Sequence, residues 1–204
     1  MNIYTFYEEI EDINKEEQNE MIDIWKESWS KFGWNPIVLS KSDTNISDEQ
    51  YKLISNLPTV NNPIYEITCY LRWNAMSNIG GGWMSDYDVI NCGFTPEDSL
   101  KYESISILQG HVPCLVFGSS EDYSKIFEIF YKEGKNKTIK IGNKNHTSDM
   151  IILSLIIKDY EFIKSLLVVD DYPNDSALIH CSTDHCRSNN ISKIDAMKKL
   201  IKII

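Results

Sequence analysis

The amino-acid sequence predicts an α/β fold in a single domain over residues 1–204, with a mixed, mostly parallel central sheet flanked by helices. A length of 204 residues suits one compact domain. Apolar residues make up 42% of the chain and charged residues 25%, which is the balance of a folded globular protein. The first forty residues show a strand, a helix and a second strand in succession, the pattern of a parallel sheet covered by helices.

Local signals justify the elements in chain order. Residues 2–7 are rich in β-branched and aromatic side chains and predict the first strand. Apolar residues at helical spacing predict a helix over 16–32, which Gly33 ends before a strand over 37–39. The same criteria predict the remaining elements, which are helices over 47–57, 64–79, 123–131, 149–157, 160–167 and 193–204, and strands over 83–90, 112–117 and 138–141.

Charge and cysteine content exclude several classes of protein. The net charge is −10, and an acidic chain is a poor partner for nucleic acid or anionic lipid, because both are bound through Lys and Arg. The first residues contain no secretory signal, and no apolar run approaches the length of a membrane span. The five cysteines are odd in number and scattered, which is typical of reduced thiols. We therefore expect a cytoplasmic protein that has no membrane span and binds no nucleic acid.

The most informative segment is the triplet Asp86-Tyr87-Asp88, which follows a run of glycines over 80–82. In the predicted strand over 83–90, residues i and i+2 share a face, so the two aspartates would point to the same side. Paired carboxylates are ligands that Mn²⁺ and Mg²⁺ favour. The glycines would let a ligand approach the backbone closely. Arg72, on the preceding predicted helix, would add a positive charge for a phosphate or for the carboxylates.

The segment over residues 71–89 resembles the donor-binding segment of glycosyltransferases with a DXD motif, among them capsular-polysaccharide and mannosyl transferases and the clostridial glucosylating toxins. Their pattern is a helix with an arginine, a pair of glycines, three residues, Asp-X-Asp and an apolar residue. This chain matches the pattern with Arg72, Gly81-Gly82, Asp86-Tyr87-Asp88 and Val89. The resemblance covers residues 1–95 and implies a single Rossmann-like GT-A domain.

The resemblance also implies a function. The protein would be a hexosyltransferase that uses a nucleotide-sugar donor of the UDP-sugar type, a bound Mn²⁺ or Mg²⁺, and an unknown glycan, protein or small-molecule acceptor, with retention of anomeric configuration. The implied site residues all contact the donor or its metal. They are Asp86, Asp88 and His180 for the metal, Asp86 and Arg72 for the donor, and Thr5, Phe6 and Tyr7 for the nucleotide base.

Two features of the chain affect the details of this expectation. In several relatives, an aspartate that touches the donor sugar stands three residues before the arginine. This chain has Cys69 at that position, and the acidic residue Glu66 lies one helical turn earlier. Asp149 is the candidate catalytic residue near the acceptor, and it would be the base if the reaction inverts. A purely structural interpretation of this segment is a helix cap provided by Thr147 or Ser148.

Other interpretations stay open at this stage. Asp-X-Asp triplets are common at solvent-exposed strand ends. A calcium loop is excluded, because Asn91 stands where that loop requires glycine. His180-Cys181 and His185-Cys186 suggest a structural zinc site, although their spacing is that of neither a finger nor a ribbon. A nucleotide-sugar hydrolase would use the same acids, and a non-catalytic protein would keep the fold for binding alone.

Overall fold

A six-stranded sheet with helices on both faces forms the centre of the fold in the computed structural model, which describes residues 1–11 and 13–204. The strands are β1 (Asn2–Phe6), β2 (Asn35–Leu39), β3 (Gly81–Ser85), β4 (Val89–Asn91), β5 (Ser106–Gln109), β6 (Val112–Ser119), β7 (Ile139–Ile141), β8 (Lys144–His146), β9 (Lys164–Ser165), β10 (Asp170–Asp171) and β11 (Leu178–His180). The helices are α1 (Lys15–Lys31), α2 (Asp48–Ser55), α3 (Pro63–Asn78), α4 (Pro96–Ser99), α5 (Ser120–Glu133), α6 (Asp149–Ile156), α7 (Thr183–Ser188) and α8 (Lys193–Ile201). Within the described residues, no helix is both long and apolar enough to cross a membrane.

The central sheet is mixed, in the strand order β2-β1-β3-β6-β5-β9. Strand β1 runs parallel to β2 and β3, β6 runs antiparallel to β3 and β5, and β9 runs parallel to β5. A smaller sheet has the order β10-β11-β4, and β7 forms a hairpin with β8. The predicted α/β class, with a mixed central sheet flanked by helices, is therefore confirmed.

The two faces of the central sheet bury different side chains. On one face, α1 places Trp25 and Trp29 in the same apolar cluster as Trp83 of β3. On the other face, α3 and α5 place Trp73 and Phe130 in a cluster with Met84, the next residue of β3. Successive side chains of a strand point to opposite faces, so β3 is covered by helices on both sides.

Gly81 determines how closely the start of β3 approaches the end of β6. Its φ is +82°, and a Cβ at this position would lie 2.5 Å from the backbone nitrogen of Ser120. Gly81 pairs with Ser119, where β6 passes into α5. The glycine therefore allows two backbone segments to pack together. The atoms that approach Gly81 belong to the protein's own backbone.

Two predicted elements are wrong, whereas the others form within about three residues of their predicted ends. The strand predicted over 83–90 ends at Ser85 and resumes at Val89, because the residues between form a turn. The helix predicted over 160–167 does not form. Its apolar residues fit helical spacing, but Lys164 and Leu166 donate backbone hydrogen bonds to Ile105 and Ile107, at 3.0 and 2.9 Å, so the segment joins the sheet as β9.

Candidate metal centre

A cavity of about 300 Å³ lies at the carboxyl ends of the parallel strands β1 and β3. This edge of a parallel sheet is where ligands commonly bind. The wall is formed by Phe6 and Tyr7 at the end of β1, by residues 84–88 at the end of β3 and in the turn that follows it, and by side chains from α3, α6 and the start of α8. The volume is that of a small-molecule site.

Asp86 and Asp88 lie in the turn that joins β3 to β4. The backbone N–H of Asp86 donates to the carbonyl of Cys114 at 2.7 Å, and that of Val89 donates to the carbonyl of Asp86 at 3.1 Å. This turn, and not the alternation of a strand, brings both carboxylates together. One ligand atom each from Asp86, Asp88 and His180 lie within 4.8 Å of one another. The three side chains form a group that could hold a metal ion.

His180 reaches this group through strand pairing. Strand β11 runs antiparallel to β4 with His180 opposite Val89, and the N–H of Cys181 donates to the carbonyl of Asp88 at 2.8 Å. Nδ1 of His180 donates to Oε1 of Gln109 at 2.8 Å, which leaves Nε2 facing Oδ1 of Asp88 at 3.4 Å. A histidine ligand is oriented in this way, with one ring nitrogen fixed by a hydrogen bond and the other turned to the metal.

The two oxygens of Asp88 have different surroundings. The residue is only 6% exposed, and Oδ2 accepts a hydrogen bond from Nζ of Lys193 at 2.5 Å. Oδ1 is buried and has no hydrogen bond among the described residues. Burial alone would raise the pKa of Asp88, but the positive charges of Lys193 and His180 outweigh it and hold the pKa below its ordinary value. Asp88 is therefore an anion, and its Oδ1 faces the protonated Nε2 of His180 at 3.4 Å without a hydrogen bond. A divalent cation that replaced this proton would bind both groups at once.

Asp86 forms an ion pair with Arg72, whose Nη1 donates a hydrogen bond to Oδ1 of Asp86. Burial raises the pKa of Asp86 and Arg72 opposes the rise, while the neighbouring carboxylate of Asp88 adds to it, so that the net shift is upward. Two carboxylates that disfavour each other's ionisation are stabilised together by a shared cation.

Asp149 holds Arg72 from the other side. Nε and Nη2 of Arg72 both donate to Oδ2 of Asp149, at 3.2 and 2.6 Å, and the indole Nε1 of Trp73 donates to the same oxygen at 3.2 Å. Ser148 caps α6, as predicted, and places Asp149 in its first turn. Asp149 lines the cavity, but its carboxylate is committed to Arg72 and Trp73. This geometry supports a positioning role for Asp149.

Glu66 is a further buried acid in the cavity wall, 4% exposed. Its Oε1 accepts from Nδ2 of Asn61 at 2.6 Å, and its Oε2 has no hydrogen bond in the part of the chain that the structure describes. Burial raises the pKa of Glu66 to about 7, the hydrogen bond from Asn61 and the charge of Arg72 lower it, and Asp149 raises it. The cavity therefore contains a carboxyl group that titrates near neutral pH.

The residues that close the first strand divide between the cavity and the interior. Phe6 and Tyr7 line the cavity, and the ring of Tyr7 meets that of Tyr87 edge to face with 6.3 Å between centroids. Thr5 is buried outside the cavity wall. Successive side chains of a strand point to opposite faces, so Thr5 points away from the side of the sheet that Phe6 faces.

Lys193 and Gln109 contact the predicted site residues, although no sequence motif contains them. Lys193 is the first residue of α8, directly after the capping Ser192, and it lines the cavity. The contacts of these two residues with Asp88 and His180 span 105 and 71 positions of sequence. Such contacts depend on tertiary folding, and spacing along the chain carries no signal for them.

The turn that carries the aspartates is also attached to the aromatic core. The indole Nε1 of Trp25 donates to Oγ of Ser85 at 3.3 Å, and that hydroxyl donates to the carbonyl of Asp86 at 2.8 Å. With the bond from Trp73 to Asp149, two buried indoles support residues of the site.

The geometry does not support the zinc hypothesis. Cys181 and Cys186 are buried in an apolar cluster with residues of α8, and Nδ1 of His185 lies 2.9 Å from Oγ of Ser182. Over residues 1–11 and 13–204, the one group of at least three His, Cys, Asp or Glu side chains with ligand spacing is the aspartate-histidine group described above, and it contains no cysteine.

Most of this fold matches a known protein family. Residues 1–157 match a family described as a domain of unknown function, DUF8765. The matched segment contains both aspartates of the turn, whereas His180 and Lys193 lie beyond it. No curated protein matches the chain. Because the match covers more than half of its residues, the chain belongs to the DUF8765 family.

Proposed function

We propose that this protein is a metal-dependent glycosyltransferase that moves a hexose-type sugar from a nucleotide-diphosphate donor, of the UDP-sugar type, to an acceptor. The observation that supports the proposal is the buried Oδ1 of Asp88, which lacks a hydrogen bond and lies with Asp86 and His180 at ligand spacing. Two carboxylates suit Mn²⁺ or Mg²⁺, and the imidazole favours Mn²⁺, since Mg²⁺ prefers oxygen ligands. The mixed sheet with helices on both faces is compatible with the GT-A architecture that the resemblance implies.

The charged residues of the cavity match the demands of the reaction. When the glycosidic bond to the nucleoside diphosphate breaks, negative charge develops on the phosphate oxygens, and a divalent ion held by Asp86, Asp88 and His180 would stabilise it. Arg72 adds a fixed guanidinium beside Asp86. Asp149 orients that guanidinium through two hydrogen bonds, so it is in place before the donor arrives.

The commitment of Asp149 to Arg72 also bears on stereochemistry. Oδ2 of Asp149 accepts three hydrogen bonds, from Arg72 and Trp73, and Oδ1 accepts the backbone N–H of Met150 at 2.7 Å, so both oxygens are already engaged by the protein. We therefore favour the retaining course, in which the acceptor oxygen bonds to the anomeric carbon and the departing phosphate oxygen takes the acceptor proton. Asp149 then acts as a positioning residue for Arg72.

The test is a donor screen by calorimetry with UDP-glucose, UDP-galactose and UDP, each with and without Mn²⁺. We expect binding that depends on Mn²⁺, followed by sugar transfer once an acceptor is supplied. Release of free sugar at a rate independent of acceptor would identify a nucleotide-sugar hydrolase. No heat with any of these ligands would reject the proposal and favour a non-catalytic protein.

Replacing His180 by alanine should weaken Mn²⁺ binding by about tenfold or more, because the site loses its nitrogen ligand. The quantity to measure is the Mn²⁺ dissociation constant by calorimetry. His185→Ala is the matched control, since His185 is 54% exposed and stands outside the ligand group. An unchanged Mn²⁺ affinity in His180→Ala would remove this residue from the site.

A further inference from the structure

Lys193 places an ammonium group directly on the candidate metal ligand. Its Nζ lies 2.5 Å from Oδ2 of Asp88, and the side chain is 29% exposed and lines the cavity. The same carboxylate has its other oxygen buried without a hydrogen bond. Asp88 therefore has one oxygen paired with the ammonium of Lys193, while the other faces Nε2 of His180 at 3.4 Å without a hydrogen bond.

An ammonium group and a divalent cation repel each other when both bind the same carboxylate. Like charges a few ångströms apart repel strongly in a site sheltered from water, where screening is weak. Asp88 is 6% exposed, so little solvent can reduce this repulsion. A metal that binds Asp88 in the presence of Lys193 must therefore either tolerate the ammonium or displace it.

Lys193 is able to move while its helix stays in place. Helix α8 is anchored by Met197 and Leu200, which belong to the same buried cluster as Met21 and Ile24 of α1. The four-carbon stem of a lysine carries the ammonium on rotatable bonds. The charge can turn from Asp88 towards the cavity without any displacement of the helix.

The cavity provides a second partner for this charge when a diphosphate is bound. Lysine is a common phosphate ligand as a point charge, and Arg72 is already committed to two carboxylates. An ammonium that leaves Asp88 would be the cation in the cavity wall without a carboxylate partner. It would then be available to the phosphate oxygens.

We propose that Lys193 and the divalent cation exchange on Asp88, with the ammonium moving to the diphosphate as the metal binds. This inference rests on the proposed function, because it needs both the metal centre and a diphosphate ligand. Mn²⁺ alone then binds weakly, since it must displace Lys193. UDP binds best with Mn²⁺ present, since the released ammonium contributes to its affinity, and by linkage UDP strengthens Mn²⁺ binding by the same factor.

The test compares Lys193→Gln with the wild-type protein in two titrations. With Mn²⁺ alone, the variant should bind about tenfold more tightly, because the competing charge is gone. With UDP at saturating Mn²⁺, the variant should bind about tenfold more weakly, because one phosphate contact is lost. Lys198→Gln is the control, since Lys198 lies on the same helix and pairs with Glu20, away from the cavity; it should change neither affinity.

The outcomes separate this exchange from the proposed function. Equal Mn²⁺ affinity in Lys193→Gln and wild type would overturn the exchange and leave the metal centre intact. Mn²⁺ binding by neither protein would overturn the metal centre and the exchange together. If thermal melting shows that Lys193→Gln is unfolded, Lys193→Met, which keeps an unbranched stem and removes only the charge, takes its place with the same expected results.

Discussion

Replacing Asp88 by asparagine is expected to reduce Mn²⁺ affinity by about 100-fold or more, because affinity for hard cations follows the number of charged oxygen ligands. Asparagine keeps the size of the side chain and removes the charge. The unfolding midpoint should also fall, because Lys193 and the buried His180 lose the carboxylate with which they pair. Calorimetric titration with Mn²⁺, together with a thermal melt, measures both quantities. UDP binding in the presence of Mn²⁺ should be lost in parallel.

The matched control for this variant is Asp171→Asn. Oδ1 of Asp171 lies 3.8 Å from Nδ1 of His180, on the side of the ring that faces away from the ligand group. This change removes one negative charge from the neighbourhood and leaves the three ligands intact, so Mn²⁺ affinity should fall far less. Wild-type affinity in Asp88→Asn, or equal losses in the two variants, would mean that Asp88 is not a specific ligand.

The second large effect concerns Glu66 and pH. Burial raises its pKa from the ordinary 4.5 to about 7 in the folded protein. The folded state therefore binds the proton more tightly than the unfolded state. The corresponding stability is fully present below pH 4.5 and is lost as the pH rises through 7. A shift of this size corresponds to roughly 3 kcal/mol of unfolding free energy, and part of it is already lost at pH 5, above the unfolded-state pKa. Between pH 5 and pH 8, Glu66→Gln should therefore gain roughly 2–3 kcal/mol of unfolding free energy relative to wild type.

Chemical denaturation at pH 5 and pH 8 gives the required free energies. The groups that face Glu66 are Asn61, Asp149 and Arg72, and all three are retained in the variant. Glu103→Gln removes an exposed glutamate from a loop and should leave the difference between the two pH values unchanged. Identical pH dependence in Glu66→Gln and wild type would show that this carboxyl group titrates in its ordinary range.

The site could be predicted from sequence where its residues are neighbours in the chain. The sequence predicts that Arg72 and the two aspartates are neighbours, and the structure places them together. Strand alternation is the wrong reason for the pairing of the carboxylates, because a turn after Ser85 brings them together. Both arrangements place residues 86 and 88 close together, and spacing alone cannot distinguish them. The glycines before the triplet predict the close approach of a ligand to the backbone, whereas at Gly81 the close neighbour is the backbone of Ser120.

Residues that join the site through tertiary folding are harder to predict from sequence. Only the resemblance points to His180, and its place depends on the pairing of β11 with β4, two strands of three residues each. Such short strands have little periodicity to detect. Over residues 160–167 the apolar pattern predicts a helix, but the segment pairs with the open edge of β5 instead. Local propensity is a weak prior when a sheet edge is available.

The indole hydrogen bonds of Trp25 and Trp73 carry a consequence for how the cavity keeps its shape. One supports the turn of Asp86 through Ser85, and the other supports Asp149 and so Arg72. Both rings are fully buried on opposite faces of the sheet, and the rings of Tyr123 and Phe130 contact that of Trp73. The packing of the interior thus determines where the charged side chains of the cavity lie. Repacking either tryptophan would misplace the electrostatics of the cavity while every ionisable group remained present.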